Sequence, residues 1–267
     1  MKFQVFSDIH LEFYNYNIRI PVLEDYLFLA GDIGKISDVN YKQFFDYCSE
    51  NWKSVYYVLG NHEYYHNHQT YDFLNNKYKE FIKNYNNIYL LDNNGVELVN
   101  DNITYYVYGS TLWSNPISTN GLNDFSKIKV KNNKNWNVGI DLQEFQNLHN
   151  TSIIKMIDTL KDKENIIMLT HFPPLRKTEY QINTTIHPKY IGINYSNEYF
   201  ANDLTNNTLK KYNISENDFY KNIIIWISGH THYCYDFIYL NTRFISNAIG
   251  YSNEKDINTN NNGQFKL

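Results

Sequence analysis

Short runs of apolar residues, each followed directly by polar residues, recur along the chain. The clearest runs cover residues 3–6, 26–30, 55–59, 166–169 and 223–227. Continuous apolar runs of this length are typical of strands that are buried on both faces. Residues 39–52, 70–82 and 142–160 instead place apolar side chains at helical spacing. The alternation of such strands and helices in the first part of the chain predicts a layered α/β fold.

Further strands are predicted beside this α/β core by segments with turn residues between them. These segments are residues 88–91, 96–99, 103–108, 235–240 and 243–246. Turn signals stand at residues 93–95 and 100–102, in the sequences Asn-Asn-Gly and Asn-Asp-Asn. Because turns of this kind join neighbouring strands, we predict that these strands are antiparallel additions to the core.

Two long polar stretches, residues 115–139 and 173–222, interrupt the pattern. Long loops in compact domains are either functional or mobile, so both stretches are candidates for active-site loops or for surface insertions. Residues 253–267 are polar and contain few core-forming side chains. We therefore predict one folded domain over residues 1–252, followed by a polar C-terminal tail over residues 253–267.

The composition is that of one globular domain. The chain has 267 residues, of which 42% are hydrophobic and 17% aromatic, which is enough apolar material for a large core. Its formal net charge of -4 provides no overall basic field for binding nucleic acid. The two cysteines, Cys48 and Cys234, indicate no disulfide framework, and we expect both in the core. No apolar run is long enough for a signal peptide or a membrane span, so we expect a soluble cytoplasmic protein without a membrane partner.

The polar residues that carry chemistry lie where the predicted strands end. The apolar runs lead into short clusters rich in Asp, His and Asn, which are Asp8–His10, Gly31–Asp32, Gly60–Glu63, Thr170–His171 and Gly229–His232. Because the carboxyl ends of strands in an open α/β sheet converge on one edge, side chains far apart in sequence can meet there. Alternate residues, as in Asp-x-His and His-x-His, project to the same side of an extended segment. The clusters therefore predict one shared site.

The ligand types in these clusters indicate the kind of metal. Carboxylate, imidazole and amide groups without a thiolate favour manganese, iron or zinc over a closed structural zinc site. The number of such groups predicts a pair of divalent ions, with manganese as the first expectation and iron or zinc as alternatives.

In this order, the clusters resemble the motifs of the calcineurin-like metallophosphoesterase superfamily. The resemblance extends from Phe3 to about Tyr251 and looks closest to small uncharacterised members. The segments that carry it are SDIHLEF, LAGDIG, VLGNHEYY, GSTLWS, THFPP, FANDL, WISGHTH and NAIGY. The resemblance implies a central β-sandwich of mixed sheets flanked by helices, which is a four-layer α/β arrangement known as the metallophosphoesterase fold.

The resemblance also implies a role for each motif residue. The first metal ion would be held by Asp8, His10 and His232. The second would be held by Asn61, His171 and His230. Asp32 would bridge both ions. His62 would face the substrate, as a proton donor or as a group that stabilises the phosphate oxygens, and Glu63 is a candidate to orient it.

The implied reaction is hydrolysis of a phosphate monoester or diester by a hydroxide that bridges the two ions. Two ions about 3.5–4 Å apart lower the pKa of a bridging water and neutralise charge on the phosphoryl group. His62 must be an imidazolium to donate a proton, and the neighbouring Glu63 would favour that form. The partner is expected to be a small phosphorylated substrate, and the oligomeric state stays open. Candidate substrate contacts around the site are Tyr64, Trp113, Phe172, Arg176, Tyr190 and Tyr251.

Alternative functions are distinguishable by particular sequence features. Gly31–Asp32 lacks the acidic and arginine continuation of phosphoprotein phosphatases, so that identity is disfavoured. A degenerate fold used as a protein-binding scaffold would be expected to have lost ligands, whereas every ligand position is filled here. A nuclease-type phosphodiesterase would be favoured if one basic face were formed by Lys127, Lys129, Lys131 and Lys134. The acidic charge balance disfavours nucleic acid as a partner.

Overall fold

Two β-sheets form the centre of the protein in a computed structural model, which describes residues 1–14, 18–134, 136–176, 185–188, 197–254, 260 and 262–267. The first sheet contains, in spatial order, β13 (Gln264–Lys266), β1 (Lys2–Phe6), β2 (Tyr26–Ala30), β3 (Ser54–Val58) and β4 (Ile88–Leu90). Strands β1 to β4 are parallel, and β13 is antiparallel to β1. The parallel strands direct their carboxyl ends to the same edge of the sheet.

The second sheet is mixed. Its spatial order is β11 (Tyr235–Tyr239), β12 (Thr242–Ser246), β10 (Ile223–Ile227), β9 (Ile166–Thr170), β6 (Ile103–Ser110) and β5 (Asn94–Asn100). The four inner strands are parallel, and β5 and β11 are antiparallel edge strands. A separate hairpin is formed by β7 (Lys129–Lys131) and β8 (Asn137–Gly139).

Helices cover the outer faces of both sheets, which gives four layers. The longer ones are α1 (Val39–Asn51), α2 (Tyr71–Ile82) and α4 (Leu142–Leu160). The short ones are α3 (Asp124–Lys127), α5 (Asn197–Phe200), α6 (Asn206–Leu209) and α7 (Glu216–Tyr220). Helix α2 begins at an N-cap in which the Thr70 side chain accepts from the backbone N–H of Phe73, and α4 begins at a capping box. None of the helices that the structure describes is long and apolar enough to cross a bilayer.

Successive residues of a strand face opposite sides of the sheet, so they enter different layers of the core. In β2, Phe28 packs into the apolar layer between the two sheets, while Leu27 and Leu29 pack against the helices α1 and α2. From the second sheet, Ile167 and Ile227 enter the layer between the sheets. Burial on both faces explains why the central strands are continuous apolar runs. The predicted β-sandwich flanked by helices is confirmed.

The structure corrects two local predictions. Strand β4 pairs in parallel with β3 rather than antiparallel, because α2 lies between the two strands and carries the chain back across the sheet. The turn at residues 93–95 therefore leads from one sheet to the other, whereas the turn at residues 100–102 does join the hairpin of β5 and β6.

Near the C-terminus, Phe265 in β13 stacks on Phe3 of β1 with ring centroids 6.1 Å apart. This edge strand was not predicted, because one phenylalanine among polar residues gives no alternating pattern.

A candidate metal centre at the strand ends

The predicted ligand side chains lie on loops that follow five strands at one edge of the sandwich. The loops after β1, β2 and β3 carry Asp8, His10, Asp32 and Asn61, and those after β9 and β10 carry His171, His230 and His232. All of these residues are buried except His232, which is partly exposed. Burying so many ionisable groups together is costly unless they have partners of opposite charge or bind metal. Their convergence is therefore the main feature to be explained.

The loop backbone places the side chains at a conformational cost. Asp8, His10, Asp32, His230 and His232 all have φ between 50° and 69°, the left-handed region that residues with a β-carbon rarely adopt. Such strain persists only where surrounding structure holds it, and it concentrates at functional sites. Here the backbone N–H of His10 donates to the Asp32 carbonyl at 2.9 Å, and that of Asp8 donates to the Gly31 carbonyl at 3.0 Å. The loops after β1 and β2 therefore support each other.

Gly60 illustrates how closely the loops approach. A β-carbon at this position would overlap the Asp32 side chain and its backbone nitrogen. Only glycine leaves room for Asp32 to occupy its place between the neighbouring histidines.

Possible metal-ligand atoms converge in three overlapping groups. The groups are Asp8 with His10 and His232, His10 with Asp32 and His62, and Asp32 with His171 and His230. Within each group the ligand atoms lie within 4.8 Å of one another. Asp32 belongs to two of the groups, so it connects the two halves of the site.

Hydrogen bonds at the Nδ1 atoms orient three of the histidines. His10 Nδ1 lies 3.3 Å from Glu12, His171 Nδ1 lies 2.8 Å from the Ala30 carbonyl, and His232 Nδ1 lies 2.6 Å from Glu254. Because each of these partners is an acceptor, Nδ1 carries a proton and Nε2 is left to bind a cation or a second proton. This is the outer-shell arrangement that metal-ligating histidines commonly have.

The ring nitrogens of neighbouring histidines then face each other. His10 Nε2 lies 3.1 Å from His232 Nε2, and His171 Nε2 lies 3.2 Å from His230 Nδ1. Two unprotonated nitrogens at this distance repel each other unless a cation or proton lies between them. His230 Nε2 is also buried without a hydrogen-bond partner among the described residues. The nitrogen and oxygen donors present therefore fit divalent metal ions.

Asn61 is oriented by Asp124, a residue that sequence reasoning missed. The Asn61 amide Nδ2 donates to Asp124 at 2.9 Å, which directs Oδ1 toward His171 Nε2 at 3.0 Å. Asp124 also accepts from the hydroxyls of Tyr65 and Tyr199. Burial raises the pKa of Asp124, while hydrogen bonds from these groups oppose that shift. No motif marks Asp124, because it lies in the polar stretch 115–139 and reaches Asn61 only in the folded chain.

His62 contacts Glu12 rather than Glu63, which corrects the predicted pairing. His62 Nδ1 lies 3.0 Å from Glu12, whose carboxylate also contacts His10, and His62 Nε2 lies 3.3 Å from the Tyr251 hydroxyl. Glu12 stands within the SDIHLEF segment, which is the sequence signal for this contact. Sequence adjacency to His62 favoured Glu63, but the two side chains project in different directions from the turn.

Glu63 instead holds the loops in place. Its carboxylate accepts backbone N–H groups of Ile33 and Gly60 at 2.8 Å and of Asp32 at 3.1 Å, together with the Tyr57 hydroxyl at 2.8 Å. Burial, followed by the charge of Asp32, raises the pKa of Glu63, while the hydrogen bonds from Tyr57 and Ile33 oppose that shift. The residue joins the loops after β2 and β3, on which Asp32 and Asn61 stand.

We expect Glu63→Gln to destabilise the fold. Glutamine replaces one acceptor oxygen with an NH₂ donor, so buried N–H groups would lose their partner at about 1–3 kcal/mol each. A loss of at least about 2 kcal/mol should lower the melting temperature by roughly 4–8 °C. Differential scanning calorimetry measures this, with the exposed Glu50→Gln as the matched control. An unchanged melting temperature for Glu63→Gln would contradict this role.

The charges in the site shift pKa values in opposite directions. Burial would raise the pKa of Asp32, but the charges of His171 and His62 lower it well below its usual value. Burial would lower the pKa of His171, but Asp32 raises it to about 9. Burial likewise works against a charged His62, and Asp32 and Glu12 raise its pKa above the usual value. Without metal, the site therefore holds protons on imidazoles beside carboxylates.

Tyr251 is a predicted substrate contact that lies at the site. The Tyr251 ring lies 4.6 Å from the rings of both His10 and His232, measured between centroids. Tyr64 and Trp113 are instead buried in the core, so their prediction as substrate contacts is corrected. Phe172 is also buried, but its ring centroid lies 3.9 Å from that of His230, and its role as a substrate contact stays a prediction. From the sequence alone, a tyrosine or tryptophan near a motif cannot be assigned either to core packing or to substrate contact.

The remaining two predicted substrate contacts are Arg176 and Tyr190. Arg176 forms ion pairs with Glu198 at 3.2 Å and Asp203 at 3.4 Å, and it lines a different cavity beside His149. Its role as a substrate contact stays a prediction. Tyr190 lies outside the described residues.

Comparisons with known proteins bear on both the sequence and the fold. A family model for calcineurin-like phosphoesterases matches residues 1–234. "Uncharacterized protein L509" of Acanthamoeba polyphaga mimivirus is 36% identical over 242 residues, which is 86% of this chain and 80% of that protein. The structure of phosphopantetheinyl hydrolase (PptH) from Mycobacterium tuberculosis is similar with a TM-score of 0.60 and 15% identity, over 94% of this chain and 89% of that chain.

A putative 5'-nucleotidase from Staphylococcus aureus aligns with a TM-score of 0.46 and 15% identity, over 92% of this chain but only 48% of the nucleotidase chain. Because PptH is only 15% identical to this chain, the likeness between the two proteins concerns the fold alone.

Proposed function

The chain belongs to the calcineurin-like phosphoesterase family, which implies metal-dependent phosphoester hydrolysis, and from this premise we propose that it hydrolyses a small phosphorylated substrate at a site for two divalent metal ions. The observation that carries the proposal is the convergence of overlapping ligand groups joined by Asp32. His10 and His232 support it, since their facing Nε2 atoms at 3.1 Å suit a cation. A scaffold role has no comparable support, because no ligand position is lost.

The proposed ligand sets follow the overlapping groups. Asp8, His10 and His232 would hold one ion, and Asn61, His171 and His230 the other. Asp32 would serve both, since its Oδ2 lies 3.4 Å from His171 Nε2 and 3.9 Å from His10 Nε2. Two such ions supply an activated water and neutralise charge on the phosphoryl group. Manganese is our first choice, with iron or zinc as alternatives.

The chain's own residues would complete the reaction. His62 would donate a proton to the leaving oxygen, since Asp32 and Glu12 favour its charged form. Glu12 would position the imidazole through Nδ1, leaving Nε2 for the substrate. The Tyr251 hydroxyl, 3.3 Å from that Nε2, would contact the same substrate oxygen or its neighbour.

A hydrolysis screen tests the proposal and defines the ester class. The purified protein with Mn(II) would be assayed on nitrophenyl mono- and diesters, cyclic nucleotides, nucleotides and phospholipid headgroup esters. We expect turnover of at least one class, lost on chelation. Failure to hydrolyse any of them with manganese, iron or zinc would contradict the proposal.

We also propose a cytoplasmic location, because the two cysteines are free.

We expect metal loading to stabilise the protein strongly. The ligands come together only in the folded chain, so each ion at 100 times its dissociation constant adds about 2.7 kcal/mol to the free energy of unfolding. For two ions, this corresponds to roughly 10 °C or more in melting temperature. Elemental analysis should find two ions per chain, and a chelator should reverse the shift. No bound metal together with no thermal shift would contradict a metal site.

The metal-free and metal-loaded proteins should also differ in pH dependence. The pKa of His171 is raised from 6.5 to about 9 by Asp32, so its contribution to metal-free stability is complete below pH 6.5 and is lost as pH rises toward 9. A bound ion must displace this proton, so the apparent Mn(II) affinity should increase with pH over the same window, by up to about tenfold per unit for each proton displaced. Titration calorimetry in buffers of different ionisation enthalpy measures the proton release. Binding without proton release at pH 7 would contradict this account.

A further inference from the structure

A cavity of about 630 Å³ opens beside the candidate metal centre, on the side where His62 lies. Site residues His62 and Tyr251 form part of its lining. The lining continues away from the site through Lys35, His66 and Lys127. The cavity therefore begins at the proposed proton donor and extends toward side chains that have no part in the hydrolysis described above.

Two lysines of this cavity have no charged partner among the described residues. Lys35 follows β2 and Lys127 ends α3, and the ion pairs of lysine in the described part of the chain involve other lysines. The acidic groups in the lining are Glu12, which is committed to two histidines, and Asp38, which accepts from the Ser37 hydroxyl. In the described part of the chain, one cavity is thus lined by two lysines that form no ion pair.

His66 adds a neutral donor to the same lining. Its Nδ1 accepts from the backbone N–H groups of His68 at 3.0 Å and Gln69 at 2.9 Å, so its own proton is on Nε2. Burial, followed by the positive charges of His68 and Lys35, lowers the pKa of His66. The cavity therefore combines two lysine side chains with a fixed N–H donor, a set of groups that can bind a multiply charged anion.

We propose that this cavity binds a second phosphate group of the substrate, carried on the leaving-group side of the ester that is cleaved. The side follows from His62, which lines the cavity and would protonate the leaving oxygen, so this orientation rests on the proposed function. Hydrolysis would add water to the reacting phosphorus, break its bond to the leaving oxygen, and release a hydroxyl compound that keeps the second phosphate. The substrate class is thus a bisphosphorylated compound.

Binding of matched ligands tests the proposal without requiring turnover. Isothermal titration calorimetry on the full chain, with and without Mn(II), would compare alkanediol bisphosphates of three to six carbons with the monophosphates of equal length. We expect the best bisphosphate to bind at least about tenfold tighter than its monophosphate, because contacts to charged groups are worth this much. Equal affinity at every length would overturn the proposal.

Substitutions of Lys35 and Lys127 test whether these two side chains bind the second phosphate. Lys35→Gln/Lys127→Gln should remove the bisphosphate advantage, and Lys35→Arg/Lys127→Arg should retain most of it. The matched control is Lys129→Gln/Lys131→Gln, which removes the same charge from β7, outside the cavity lining. Persistence of the advantage in the first variant, or its equal loss in the control, would overturn the proposal. Melting temperatures of all variants show whether each is folded.

Hydrolysis assays on the same compounds separate this inference from the proposed function. Turnover that shows no preference for bisphosphates, together with equal binding of the two ligand types, would reject the second phosphate site and leave the phosphoesterase intact. Preferential binding that depends on the two lysines, without hydrolysis of any ester, would reject the proposed function and retain the site.

Discussion

Asp32→Asn is expected to abolish phosphoester hydrolysis and to reduce metal content at both proposed positions. Asp32 belongs to two of the three ligand groups, and its Oδ2 lies 3.4 Å from His171 Nε2. Oδ1 accepts from the backbone N–H of His62 at 2.8 Å, a bond that asparagine can keep through its own oxygen. The amide NH₂ would then face the histidines, where a neutral donor cannot supply an anionic bridge between two cations.

The measurement is turnover on the best substrate together with metal counted in the same samples. His10→Ala should mainly reduce the occupancy of one of the two ions, because neither ligand group that contains His10 includes His171 or His230. Asp218→Asn, on the exposed surface of α7, is the matched control and should change neither quantity. Near wild-type turnover with two bound ions in Asp32→Asn would show that the ligand assignment is wrong.

His62→Ala is expected to slow hydrolysis of an alkyl phosphoester far more than that of a nitrophenyl ester. An alkoxide leaving group needs a proton, whereas nitrophenolate is stable without one. Removing a general acid costs about two to four orders of magnitude in rate, so the loss should be of this size for the alkyl ester. Metal content should stay unchanged, since removing His62 leaves intact the residues assigned as ligands of each ion.

The two ester types separate acid catalysis from electrostatic stabilisation. If His62 acts by stabilising phosphate oxygens, both substrates should slow by a similar factor. Glu12→Gln gives a second measurement, because weakening the contact at Nδ1 should reproduce part of the selective loss through a lower pKa of His62. Equal losses on both esters would reject the acid role, and loss of metal would make His62 a ligand or a structural residue.

The buried strands and the long helices were predictable from the sequence. Residues 26–30 and 223–227 are continuous apolar runs because helices and a facing sheet cover both faces of these strands, and each run matches its strand. Helix α4 matches residues 142–160, where apolar spacing and the capping pair of Asp141 and Glu144 both mark a helix. Family and fold followed from the ordered motifs at the strand ends, which are local features of the chain.

Contacts between distant segments were decided by the tertiary structure. Glu63 was predicted to orient its neighbour His62, but it holds the loops after β2 and β3, while Glu12 contacts the imidazole. Asp124 lies 63 positions from Asn61 and nevertheless orients its amide. Local patterns predict strands, helices and motif residues, because burial and backbone propensity act over a few neighbouring positions. They leave open which side chains meet across loops, because that depends on how the two sheets pack and on backbone directions set at residues with positive φ.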